Sequence, residues 1–263
     1  RNVGNPALYL DCWQFMLAPY PQQGNPFSDG DPGRGAHILN NSWGCPDDSE
    51  GCDPNALLPA VQALRAAGIF VEVSAGNDGP GCATVQSPPA IYDEVFSTGA
   101  IDENNDLALF SSAGPVTIDG SGRTKPDIVA PGVQVWSAFP NSTYSKLDGT
   151  SMAGPHITGV VALMWSANPD IIGDIDRTEQ ILIETATPFS GTLAGLDLEL
   201  LMTQMFGEEM AQAVTGDVPE PEKPDVETGA CISGTDLSQV PNNITGYGIV
   251  NAYEAVKRTL QNP

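Results

Sequence analysis

The stretch Asp148-Gly149-Thr150-Ser151-Met152-Ala153-Gly154-Pro155-His156 runs directly into the apolar segment 157–165, which carries Val160, Val161, Ala162, Leu163 and Met164. Such a segment reads as a buried helix, and Ser151 then stands at its mouth. A helix N-terminus presents unpaired backbone N–H groups and the positive end of the helix dipole. Those groups suit the negative charge that develops on an attacked carbonyl. Serine is also a common helix N-cap, so position alone leaves a purely local role open.

Around this helix, apolar runs alternate with helical patterns. Residues 36–42, 69–75, 95–101 and 133–139 read as strands, the last three buried. Residues 55–67 read as a helix with Leu57, Leu58, Val61 and Leu64 on one face and Gly68 as its stop; 177–185 and 251–260 read as later helices. The Ser151 helix should end near Asn168-Pro169. This alternation predicts an α/β fold with a mostly parallel central sheet, whose active residues gather at the carboxyl edge of the strands. Ser42, Asn77 and Ser151 fall there. A chain of 263 residues, 41% of them hydrophobic, can bury one core, so 1–263 is read as a single domain. Residues 116–124 form a turn-rich, hairpin-like insertion. Residues 188–230 form a larger one: 196–214 looks helical, and Val218-Pro219-Glu220-Pro221-Glu222-Lys223-Pro224-Asp225 has the composition of an exposed loop.

With 33 acidic against 10 basic residues the formal net charge is -23, which argues against a nucleic-acid partner, because phosphate contacts need clustered Lys and Arg. No run of about twenty apolar residues is present, so no membrane partner is expected. Cys12, Cys45, Cys52, Cys82 and Cys231 point to an oxidising compartment, and the absence of a C-x-x-C pair with a nearby histidine argues against zinc. Cys45 and Cys52 flank a polar turn short enough for one bridge. The odd count leaves at least one thiol unpaired within the chain, or paired upstream.

Other segments stand in a telling order: Ile38-Leu39-Asn40-Asn41-Ser42-Trp43-Gly44, Val73-Ser74-Ala75-Gly76-Asn77-Asp78-Gly79, Phe110-Ser111-Ser112-Ala113-Gly114-Pro115, Lys125-Pro126-Asp127-Ile128-Val129-Ala130-Pro131-Gly132 and Gly246-Tyr247-Gly248-Ile249-Val250-Asn251-Ala252. Together with the serine motif they resemble the subtilisin-like serine proteases (subtilases, peptidase S8 type) over most of residues 36–186 and 231–260. The resemblance implies a three-layer subtilisin-like α/β fold, a secreted enzyme and a polypeptide substrate. It makes Ser151 the nucleophile and Asn77 the side-chain donor to the oxyanion, although Gly-Asn-Asp-Gly is also turn-prone. It gives Ser42, Trp43 and Gly44 to the substrate-binding edge strand, where Trp43 can equally be a core aromatic. Ser74, Ala75 and Gly76 line one wall of the specificity pocket, Ser87 lies near its floor and Asp78 at its rim. It further implies a structural Ca2+ held by the backbone carbonyls of Ala90, Tyr92 and Val95.

One departure stands out. The family's triad runs Asp, His, Ser along the chain, whereas this chain has two histidines, His37 before the edge strand and His156 inside the serine motif, neither at a position the family uses for chemistry. A serine hydroxyl without a base is a weak nucleophile. The expectation is therefore a catalytic domain whose N-terminal segment, carrying Asp and His, lies upstream, so that this chain alone is inactive. The alternative is a catalytically inactive peptide-binding module. An α/β-hydrolase is disfavoured: Gly149-Thr150-Ser151-Met152-Ala153 nearly matches its elbow, but no histidine follows His156.

Overall fold

In the computed structural model, residues 4–191 and 237–261 are described. The elements are α1 (Pro6–Leu17), β1 (Ile38–Asn41), the one-turn α2 (Asp47–Glu50), α3 (Leu58–Ala66), β2 (Phe70–Ser74), β3 (Phe96–Ile101), β4 (Ile128–Pro131), β5 (Val135–Phe139), β6 (Thr143–Leu147), α4 (Thr150–Ala167), α5 (Ile175–Glu184) and α6 (Ala252–Gln261). Strands β1 to β4 make one parallel sheet in sequential order. Every residue of β2 and β3 is buried, as expected of parallel strands covered on both faces. On one face α1 and α3 pack Trp13, Val61 and Leu64 against Leu39, Val71 and Val73. On the other, Ile157, Val161 and Met164 of α4, with Ile181 of α5 and Ala255 of α6, cover Phe70, Phe96 and Ile128. The result is the three-layer α/β arrangement.

The sheet's two edges differ. At β4, the Val129 N–H donates to the Gly248 carbonyl (2.9 Å) and Val129 in turn accepts from the Val250 N–H (3.0 Å), so residues 248–250 continue the pairing. The outer edge of β1 takes no strand among the described residues.

The strand expected at 133–139 needs correcting. It exists as β5, but it pairs antiparallel with β6 in a separate ribbon, and its residues 136–139 are exposed. The apolar pattern misled because Trp136 stacks on Tyr144 (6.0 Å between centroids, 6° between planes), so ribbon aromatics cover one another rather than the core. The fourth sheet strand is Ile128–Pro131, four residues ending in proline and too short to stand out in the sequence. Segment 116–124 closes on itself through Val116 N–H to the Arg123 carbonyl (2.8 Å) without forming strands. Of the insertion expected at 188–230, residues 192–230 lie outside the described residues. Cys45 and Cys52 are bridged, Cys82 is also disulfide-bonded, and Cys12 is an exposed free thiol. No helix among the described residues is long and apolar enough to cross a membrane.

One central residue carries an electrostatic cost. Glu72 is fully buried in β2, its carboxyl lying where a side chain on Gly154 of α4 would be, and neither carboxyl oxygen finds a hydrogen bond among the described residues. Burial pushes this carboxyl up to about 8, and the nearby Thr98 hydroxyl and Asn41 only partly offset it. A carboxyl raised in the fold contributes stability that is complete below its unfolded pKa and lost as pH climbs through the folded one. Glu72→Gln should therefore match the parent near pH 4 and exceed it in Tm by several degrees at pH 9. A Tm difference that stays flat across that range would contradict this.

Candidate active site

Three chain segments converge at the carboxyl edge of the sheet: Ser42–Gly44 beyond β1, Ala75–Asp78 beyond β2, and the first turn of α4. Gly149, not Ser151, occupies the N-cap of α4, with φ +149°, a conformation that L side chains rarely adopt. The local-cap reading of Ser151 is thereby removed. Its hydroxyl points across to the Ser42 carbonyl at 3.5 Å. Its own carbonyl would normally accept from the residue four positions on, but that residue is Pro155, which has no N–H to give. The Ser42 hydroxyl donates to the Ser151 carbonyl instead (3.0 Å), while Asn40 Nδ2 donates to Ser42 Oγ (2.8 Å). Proline inside the helix thus leaves an acceptor that locks the serine turn to the end of β1.

Asn77 is fixed by Thr150. The Thr150 backbone N–H donates to Asn77 Oδ1 at 2.9 Å, and since an N–H only donates, the amide's oxygen must face it. The buried Thr150 hydroxyl lies 3.0 Å from the same oxygen, 3.2 Å from the Gly76 carbonyl and 3.3 Å from the Gly76 N–H. Asn77 Nδ2 has no partner among the described residues, so the amide donor of this cleft-lining residue is free. Gly76 allows this approach: its φ is +117°, and a Cβ there would sit 2.7 Å from Ser112 Oγ.

These groups open onto a cleft of about 350 Å³. Ser42, Trp43 and Gly44, the run Ser74, Ala75 and Gly76, Asn77, Asp78, Ser87, Ala90, Thr150 and Ser151 all line it, so the sequence-derived catalytic and substrate-binding residues share one cavity. Trp43 lines the cleft, and its ring stacks on Tyr9 (3.9 Å, 4°) and lies against Trp13 (5.3 Å). On its other side Ser151 borders a second recess of about 320 Å³, made by Trp136, Met152, Pro155 and His156 among others. His156 Nδ1 lies 3.0 Å from the Met152 carbonyl and must carry the proton there. It makes no hydrogen bond to Ser151. His37 is exposed at the opposite end of β1, roughly 15 Å from Ser42 by strand rise. Among the described residues, no base bonds to the Ser151 hydroxyl.

A profile of the Subtilase family (Peptidase_S8) matches residues 27–248. The chain belongs to the subtilase family. It is 38% identical over 240 residues to bacillopeptidase F of Bacillus subtilis (strain 168), covering 84% of this chain but 16% of that protein. It is 40% identical over 154 residues to subtilisin DY of Bacillus licheniformis, covering 58% of this chain and 50% of that one. Among solved structures it resembles the prenylagaramide maturation protease PagA in fold, with a TM-score of 0.56 at 23% identity, over 86% of this chain and 63% of that one. This subtilase chain therefore spans half or less of the two curated relatives.

The calcium ligands carried over from the family do not fit this subtilase. The Val95 carbonyl accepts from Lys125 Nζ at 3.0 Å, and the Ile91 carbonyl between the other two accepts from Arg123. Calcium needs six to eight oxygens around it, and here an ammonium already sits on one of the three carbonyls. No cluster of three or more His, Cys, Asp or Glu side chains among the described residues could hold a metal. Thr150, Pro155 and Lys125 are the contributors that sequence reasoning missed. Each lies inside a quoted motif, but Thr150 acts on Asn77, Lys125 on the Val95 carbonyl and Pro155 on the Ser151 carbonyl that Ser42 reaches, and these contacts join positions distant in sequence.

The Cys45–Cys52 bridge secures the rim, since the Cys45 N–H also bonds the Pro88 carbonyl (2.7 Å) beside Ser87. Replacing both buried cysteines by serine should destabilise the chain by about 2 kcal/mol in denaturant unfolding, the value for so short a loop. No change in the midpoint would show that the bridge is dispensable.

Proposed function

We propose that this chain is the serine-bearing part of a secreted serine endopeptidase. The observation that carries the reading is the pairing of Thr150 with Asn77 Oδ1, which leaves the Asn77 amide and the first-turn N–H of Ser151 as two donors beside one hydroxyl. A peptide laid along Ser42–Gly44 as an added strand would bring its carbonyl to Ser151. Ser151 Oγ attacks the carbonyl carbon and loses its proton to a base. The oxygen gains charge and is held by the two donors. Collapse expels the amine with a proton from the same base, and water then hydrolyses the acyl-enzyme.

The base and its orienting carboxylate come, in this reading, from an N-terminal segment of the same protease carrying His and Asp. The open outer edge of β1 and the recess beside Ser151 support a partner there. The cleft volume suits a large side chain before the scissile bond, and Asp78 on its rim accommodates a basic one. The Cys45–Cys52 disulfide and the acidic composition support an extracellular setting.

The chain alone should show no peptidase turnover and label slowly with a fluorophosphonate. Supplying the upstream segment should restore turnover, and Ser151→Ala should abolish it. Turnover unchanged by Ser151→Ala would remove the assignment. Failure of the segment to restore turnover, with peptide still bound in the cleft, would favour the second reading, an inactive peptide-binding module, which the missing base supports. In the restored protease, Asn77→Leu should lower kcat by about 10²–10³, a magnitude established on a subtilisin, with KM little changed. Retained kcat with a lowered Tm would instead assign Asn77 to the turn.

A further inference from the structure

We infer that the ammonium of Lys125 is the built-in cation of the turn at residues 90–95, so that this turn, and the cleft lining it carries, keeps its shape without a metal ion. The inference concerns the fold of the chain and does not rest on peptidase activity. Lys125 is 2% exposed, one of the largest fully buried side chains. A buried charge is tolerated only when it is paired and hydrogen-bonded. Lys125 Nζ meets that condition with the Val95 carbonyl at 3.0 Å and Asp127 Oδ2 at 2.7 Å. The same carboxylate oxygen accepts from the Ser97 N–H (2.6 Å) and hydroxyl (2.9 Å), which ties the ammonium to the start of β3.

Two residues before it, Arg123 reaches the other part of the turn. Its guanidinium donates to the Ile91 carbonyl and pairs with Asp93 (3.0 Å) and Asp119 (2.9 Å). Two of the chain's ten Lys and Arg residues therefore end on carbonyls of a single turn, in a chain with 33 acidic residues. A Ca2+ ion at the Val95 carbonyl would meet a positive charge shielded from water, where like charges repel most strongly. Lys125 and the ion are alternatives for the same place, and the lysine is covalently present at every concentration of metal. Ala90, at the start of this turn, lines the cleft, which makes Lys125 a positioning residue for that wall.

The test is amide hydrogen exchange at Ala90 and Tyr92, whose N–H groups bond the Ser87 and Pro89 carbonyls (3.1 and 3.2 Å). It is run on the 263-residue chain in EDTA and in millimolar CaCl2. The parent chain should show the same protection in both. Lys125→Met, which keeps an unbranched side chain one atom shorter and removes the charge, should exchange at least about tenfold faster at these amides, with no recovery on adding calcium. Faster exchange of the parent in EDTA would overturn the inference even if the variant does not fold. So would unchanged protection in a folded Lys125→Met chain, or its restoration by calcium.

Discussion

The site depends on one short-range tie, the pair of contacts from Thr150 to Asn77 Oδ1 that joins the end of β2 to the start of α4. Hydrogen bonds of this kind contribute about 1 kcal/mol each, whereas burial of one side chain such as Ile157 or Met164 contributes about 1.5–3 kcal/mol. The core therefore decides that α4 lies across the sheet, and the tie decides where its first turn ends up. Pro155 and Ser42 add a second fastening on the β1 side. Between them, Ser151, Asn77 and the segment Ser42–Gly44 are brought to one cleft by backbone constraints more than by side-chain chemistry.

The charge distribution follows a related logic. Among the described residues most carboxylates are exposed, while several of the few cations serve as staples between elements. Arg65 joins α3 to α5 through Glu179 (2.6 Å) and Asp176 (2.5 Å), and those carboxylates hold its guanidinium well above the usual range. Arg123 and Lys125 do the same for the turn under the cleft. Glu72 is the opposite case, a buried carboxyl with no hydrogen-bond partner among the described residues.

Much of this was legible from residues alone, and the reasons are physical. Apolar runs with fixed periods located β1, β2, β3 and helices α3 to α6, because a parallel sheet covered on both faces leaves little choice of residue; α1 (Pro6–Leu17) was not read from the sequence. The serine motif and the Asn77 segment were read through their resemblance to the subtilisin-like proteases, while local pattern alone showed a helix start at Ser151 and a turn at Asn77. The β5–β6 ribbon was misread, since an exposed aromatic ladder has the same alternation as a buried strand. The roles of Thr150 and Lys125 were invisible for a different reason: Thr150 acts on a group 73 positions away and Lys125 on one 30 positions away. The carbonyl cradle around Val95 left no trace at all, because every residue has a carbonyl.

The central claim is that Asn77 is held through its oxygen so that its nitrogen faces the reacting carbonyl. The most direct measurement is a crystal structure of the restored protease carrying a peptide boronate on Ser151. The account predicts a boronate oxygen about 2.7–3.1 Å from both Asn77 Nδ2 and the Ser151 N–H. It also predicts that Thr150 remains bonded to Asn77 Oδ1. A boronate oxygen turned to solvent, or an Asn77 amide released from Thr150, would contradict it.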